Sequence, residues 1–282
     1  MKKLPLRPLL AVLAVLTASG AHAVPGGEPA VRPAQVAQDL SSAGRLRLQS
    51  QRLAKLYLQD GLGIRAETAR RQLVAGHAQV EKDLTALADY ARRPRTQRTQ
   101  ARCVELWNDY RAALARPYAP DSAQRVNYLA EELMIVAGKL AMQIEEEADT
   151  PVARLLDLAQ RQSMLAQRLA RLYLLAQSGD RSRGRRVDVE QARKEFVAGL
   201  AELDAAPENT PASREALALA KTQWLFFERA VGDLQAQAPG SANGARHVAS
   251  TSERIMEALD AVSAQYARDY AGAAGRGAAL RN

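Results

Sequence analysis

Along most of the chain, apolar residues return every third or fourth position, which is the rhythm of a helix with one buried side. Leu73, His77, Val80, Leu84 and Leu87 keep that step, and so do Val126, Leu129, Leu133, Val136 and Leu140. It returns in Leu217, Ala220, Trp224, Phe227, Val231 and Leu234, and again in Ile255, Leu259, Val262 and Tyr266. No sustained period-two run of β-branched residues competes with it. Breaks fall at Pro94, at Pro117 and Pro120, at Pro151, at "APENTP" with Pro207 and Pro211, and at "APGSANG" with Pro239. Punctuation of this kind predicts about eight helices.

Those helices divide into two sets with the same order of features. "QRLAKLYL" from Gln51 matches "QRLARLYL" from Gln167, and "QLVAGH" (Gln72 to His77) sits opposite "EFVAGL" (Glu195 to Leu200). Trp107 and Tyr110 then correspond to Trp224 and Phe227, and Glu132 to Glu253. The expected fold is all-α, two tandem antiparallel four-helix bundles with short connections, over residues 24–149 and 150–272. Pro151 suits the first turn of a helix, with Asp149 or Thr150 as its cap. Residues 273–282 lack an apolar period and are expected to fray as a flexible tail.

Ahead of the first bundle stand Lys2, Lys3 and Arg7, an apolar run from Leu9 to Leu16, and Ala21-His22-Ala23. This reads as a secretory signal peptide, residues 1–23, cleaved after Ala23. No later run reaches the ~18 uninterrupted apolar residues of a membrane span, so the expected product is soluble and periplasmic or secreted. The formal net charge of +8 is spread along the chain rather than gathered, which argues against a nucleic-acid partner. Cys103 is the single cysteine and cannot form an internal disulfide. Outside the signal only His77 and His247 remain, with no Glu-x-x-His pair, so no metal or cofactor is expected. His77 occupies a seam position and reads as structural. Nor is there a phosphate loop, a Ser-His-Asp set or a nucleophilic cysteine, so no enzyme activity is expected.

One segment departs from simple amphipathicity: "AGRLRLQSQRLAKLYL", Ala43 to Leu58. On a helical wheel Leu46, Ser50, Leu53 and Tyr57 form a core stripe. Arg45, Leu48, Arg52 and Lys55 share a second face, and Arg47, Ala54 and Leu58 a third. Leucines off the core stripe imply that this helix packs on its own bundle and also on a neighbour, with arginines bordering the second contact. Guanidinium stays charged and offers a planar fork of donors, which suits a small planar oxyanion. Nitrate, nitrite, carboxylates and bicarbonate all qualify. A solvated arginine lying along its apolar neighbours is the simpler reading of any one of these positions. Recurrence favours a role for the set, because Arg45 matches Arg161 and Arg52 matches Arg168.

The same segment resembles the first helix of the sensor domain shared by NarX/NarQ-type nitrate/nitrite-sensing histidine kinases and PilJ-like type IV pilus chemotaxis transducers. Ala43, Gly44, Arg47, Ser50 and Arg52 fit that pattern, with Leu48 in the place of a methionine. The second copy, "QRQSMLAQRLA", keeps Met164, Gln167 and Arg168, but has Gln160 for the glycine, Ser163 for the central arginine and Ala166 for the serine. In those sensors the ligand lies between two first helices, held by an arginine similar to Arg47. The resemblance implies that the two bundles pair within the chain, setting Arg47 opposite Ser163, or that two chains pair as a homodimer.

The resulting expectation is an exported binding or sensor protein for a small oxyanion, nitrate or nitrite first. Its ligand would be held by Arg47, Arg52, Arg45, Ser50, Ser163, Arg161 and Arg168, and it would signal through a membrane receptor or transporter. The alternative is a ligand-independent helical scaffold that docks an acidic partner or itself.

Overall fold

The computed structural model describes residues 33–90, 94–180, 182–232 and 242–279. The expected signal peptide and its cleavage site at Ala23 lie outside the described residues, as does Pro239. Among the described residues there are eight helices and no strand: α1 (Pro33–Gly61), α2 (Ala66–Tyr90), α3 (Pro94–Leu114), α4 (Pro120–Ala148), α5 (Pro151–Gln177), α6 (Arg183–Ala205), α7 (Pro211–Gly232) and α8 (Ala242–Ala279).

Local chemistry sets several of these boundaries. Pro94, Pro120, Pro151 and Pro211 each open a helix, where the missing N–H costs no hydrogen bond and φ is already helical. Both cap candidates between α4 and α5 are used, for opposite ends. Asp149 closes α4 in the left-handed region at φ 42°, donating its N–H to the Glu145 carbonyl. Thr150 then opens α5, its hydroxyl oxygen accepting from the Ala153 N–H at 3.2 Å. Helix α8 continues to Ala279, through residues whose lack of period led us to expect frayed chain. Alanine dominates that stretch, and alanine propensity sustains a helix without an apolar face.

The two halves repeat one pairing pattern. Helix α1 packs on α2 and α4, with α3 on α4; helix α5 packs on α6 and α8, with α7 on α8. The halves meet chiefly through α1 against α5, flanked by α1 against α8 and α4 against α5. Contacts of α8 fix the direction of that central pair. Near residue 252, α8 meets Lys55 of α1 and Gln167 of α5. Further along, at residues 260–267, it lies beside residues 38–48 of α1 and 160–163 of α5. Since α8 runs against both, α1 and α5 are parallel.

Residues from both halves form one continuous core. It includes Leu46, Leu53 and Leu58 of α1, Leu165, Leu169 and Leu172 of α5, and the aromatic layers around Trp107 and Trp224. Because α1 has neighbours on nearly every side, its polar residues are buried with its leucines: Arg47, Gln49, Ser50, Gln51 and Lys55 are all inside. Buried polar groups of this kind need partners. The identity of those partners defines the site.

Candidate functional site

Each copy of the repeated motif does the same two things. Gln51 donates from Nε2 to the Ala130 carbonyl at 3.0 Å, and Gln167 to the Ser252 carbonyl at 2.8 Å, each tying a first helix to the last helix of its own half. One residue later the chain reaches across. Arg52 donates from Nη2 to Glu253 Oε2 at 2.6 Å and from Nε to Oε1 at 3.1 Å, and Lys55 Nζ closes on the same carboxylate. In mirror fashion Arg168 grips Glu131 at 3.2 Å, Arg171 joins it, and Arg171 Nη1 donates to Asn127 Oδ1 at 2.8 Å. Each half thus clamps a glutamate on the last helix of the other.

The clamps are deep. Lys55 and Arg171 side chains are 0% and 1% exposed. Burial by itself would raise the Glu253 carboxyl, but Lys55 and Arg52 outweigh it and hold it down at about 2. At Lys55 the balance is reversed: burial outweighs Glu253 and lowers the amine from its ordinary value. Arg171 likewise is lowered by burial, against the pull of Glu131. The register differs by one residue from the sequence comparison, because Glu131, not Glu132, occupies the place matching Glu253.

Arg47 lies at the junction itself, its side chain 7% exposed. Its Nη2 donates to Asp157 Oδ1 at 2.9 Å and to the Asp157 carbonyl at 3.1 Å, while its Nε has no partner. Gly138 of α4 lies alongside, and a Cβ there would come within 3.5 Å of Arg47 Cδ. Glu145 of α4 completes the cluster, its carboxyl raised by burial and by the nearby Asp157 against the pull of Arg154 and Arg47. The remaining predicted residues are spread around this centre. Arg45 forks onto Asp83 of α2, with Nη2 to Oδ1 at 2.6 Å. Arg161 pairs with Glu195 of α6 at 2.9 Å near the surface, and the Ser50 hydroxyl donates to the Arg47 carbonyl at 2.7 Å.

Ser163 is not opposite Arg47. It lines a cleft of about 450 Å³ between α1, α5 and α8, whereas Arg47 faces α4. The two therefore occupy opposite flanks of the α1–α5 pair. Arg45, Arg47, Arg52, Arg161 and Arg168 all have a carboxylate of the chain as partner, so no two guanidinium groups face each other across an open slot. Asp83, Asp157, Glu131 and Asp260 carry much of the site's charge and were missed from the sequence. Among the described residues no group of three or more His, Cys, Asp or Glu side chains could hold a metal ion, and no helix is long and apolar enough to cross a membrane.

Comparison with known proteins adds one finding. The family model described as the N-terminal domain of type IV pili methyl-accepting chemotaxis transducers, PilJ, matches residues 34–132, which span α1 to α3 and the front of α4. Over those residues the chain is PilJ-like, and the likeness is to a signalling domain rather than to a catalyst. No curated protein and no solved structure matches significantly.

Proposed function

We propose that the chain is an exported, ligand-responsive sensory protein in which a duplicated four-helix unit acts as a sensor dimer contained in one polypeptide. Its ligand is a small oxyanion, nitrate or nitrite, read at Arg47 and reported to a membrane receptor or transporter. The observation that carries this reading is the buried junction of α1 with α5, where the charge of Arg47 is met across the halves by Asp157, 14% exposed. A planar oxyanion offers the same fork the same geometry. Its entry releases Asp157 from α1, so ligand binding and the relation of the two halves are coupled. One anion replaces another, and the affinity is correspondingly modest. Arg45, Arg52, Arg161 and Arg168 serve here as frame, their charges already met.

Thermal melting and calorimetry with nitrate, nitrite and chloride test the proposal, since a ligand of the folded state raises its melting point. Nitrate is expected to stabilise the wild type more than chloride does, to stabilise Asp157→Asn more strongly still, and to have no specific effect on Arg47→Ala. A nitrate response equal in wild type and Arg47→Ala overturns it. The internal pairing of the five arginines favours a second reading, a ligand-independent scaffold that docks a partner or a second copy. Melting that is indifferent to every anion would select that reading.

A further inference from the structure

The cleft on the flank away from Arg47 has its own chemistry. Gly44 and Gln160 occupy matching places in the two halves and touch there, a Cβ on Gly44 coming within 1.9 Å of Gln160 Oε1. By that register Ser163 stands where α1 has Arg47, and Ser41 where α5 has Asp157. An ion pair on one flank is therefore replaced by two serines on the other, and the space it would fill is open. The volume of about 450 Å³ falls in the range of small-molecule sites.

Three polar atoms at this cleft are left without partners. Ser163, Ser263 and Gln160 all line it and are 1%, 7% and 7% exposed, and none of Ser163 Oγ, Ser263 Oγ and Gln160 Oε1 makes a hydrogen bond. Orphaned buried groups are costly, and two hydroxyls and an amide oxygen together can accept donors from one guest. Charge narrows the class. Arg45 stands in the wall, but its guanidinium is committed to Asp83, which is 1% exposed. Asp260 stands on the α8 wall, the residue exposed but its carboxyl partly desolvated by its neighbours, and no cation closes an ion pair on it; Arg52 and Arg45 attract it only from a distance. The formal balance of these three groups is one negative charge.

We propose that this cleft binds a small molecule carrying a primary ammonium group, with Asp260 as its counter-ion and Ser163, Ser263 and Gln160 accepting its donors. The shared chemistry is found in simple amines and in free amino acids. An amino acid would in addition place its carboxylate against the Nη1 edge of Arg45, which Asp83 leaves unused. Desolvation by its surroundings raises the Asp260 carboxyl to about 6, and a cation beside it favours the charged form.

Calorimetry and thermal shift on the full chain, at about pH 7.5 and constant ionic strength, separate the cases, with about millimolar ligand sufficing for a weak site. The probes are ethanolamine, putrescine and L-serine, with acetate and ethylene glycol as controls lacking the ammonium. Binding of the amines and not of the controls is expected. L-serine alone binding would identify an amino-acid site, and all three binding a simple amine site. Asp260→Asn, a surface change that leaves the fold's ion pairs intact, should weaken binding about tenfold or more, as loss of a charged hydrogen bond does. Ser163→Ala should weaken it less. Arg47→Ala should leave it unchanged, which separates this site from the oxyanion reading. The proposal is overturned if none of the three ammonium compounds binds, if the controls bind equally, or if Asp260→Asn binds as the wild type does.

Discussion

Glu253→Gln tests the energetic centre of the fold. The carboxylate it removes neutralises Lys55, 0% exposed, and Arg52, 12% exposed. Two routes give the magnitude. A carboxyl held at about 2 against an ordinary 4.5 contributes about 3 kcal/mol near neutrality, at ~1.4 kcal/mol per unit. Independently, removing one partner of a buried pair costs about 3–5 kcal/mol, because a charge is left inside without compensation. The Ser252 hydroxyl still accepts from Lys55 at 3.2 Å, and the new amide oxygen retains one acceptor, so the lower end applies. Lys55 is also already lowered by burial and can shed its proton, which limits the loss further. About 3 kcal/mol corresponds to a fall in melting temperature of roughly 6–12 °C for a domain of this size. Differential scanning calorimetry with urea titration reads it directly. The control is Glu67→Gln, which removes a helix-surface pair with side chains 66% and 80% exposed and should move the melting point by no more than about 2 °C. The double variant Glu253→Gln with Lys55→Met should regain part of the loss, since it leaves less charge stranded. A Glu253→Gln shift no larger than that of Glu67→Gln would refute the reasoning.

The same clamp predicts an acid limb. Because the folded carboxyl of Glu253 is depressed, its stabilisation is present above 4.5 and is lost as pH falls from there through about 2. Urea unfolding between neutrality and pH 2 should therefore show a loss in the wild type that is smaller in Glu253→Gln by most of its ~3 kcal/mol. Gly44→Leu should destabilise by about 1–3 kcal/mol in urea, because its side chain must displace Gln160 where α1 and α5 touch. Gly184→Leu, beside which only Ser182 Oγ comes near, at 3.9 Å, should be neutral or better.

The helices were legible because most of them bury one stripe, and the period of that stripe is written in the sequence. Thr150 and Pro151 at the start of α5, and the breaks marked by Pro94, Pro120 and Pro211, were legible because those signals are local. Helix α1 was legible only in part. Leu48, lying off the core stripe, did announce a second contact, and α5 and α8 supply it. What the arginines hold could not be read, since Arg52 and Glu253 lie 201 residues apart and no local period links them. The comparison of halves came close, but choosing Glu132 over Glu131 turns a side chain by about 100° around the helix and away from the clamp. Asp157 was missed for a directional reason. Side chains on a helix lean toward its N-terminus, so in a parallel pair a long arginine meets a residue below its own level. Arg47 is level with Ser163 by the repeat, yet its fork closes on Asp157, six positions or about 9 Å earlier.

The two flanks of the junction behave differently although the halves pair alike, because Arg47 and Asp157 on one are matched by Ser163 and Ser41 on the other. The clamps on Glu131 and Glu253 correspond, and they fix the α1–α5 pair at residues 52–55 and 168–171. Toward the other end the equivalence breaks. One flank carries Arg47, Asp157 and Glu145; the other carries Ser163, Ser41 and Asp260 around open space. Orphaned polar atoms lie on both flanks there, Arg47 Nε on one side and Gln160 Oε1, Ser163 Oγ and Ser263 Oγ on the other. A guest that satisfies either set acts on the weakly determined end of a helix pair whose opposite end is held by paired buried charges. The response that costs least is then a pivot about the clamps rather than separation of the halves, because separation would strand Lys55 and Arg171 without their glutamates.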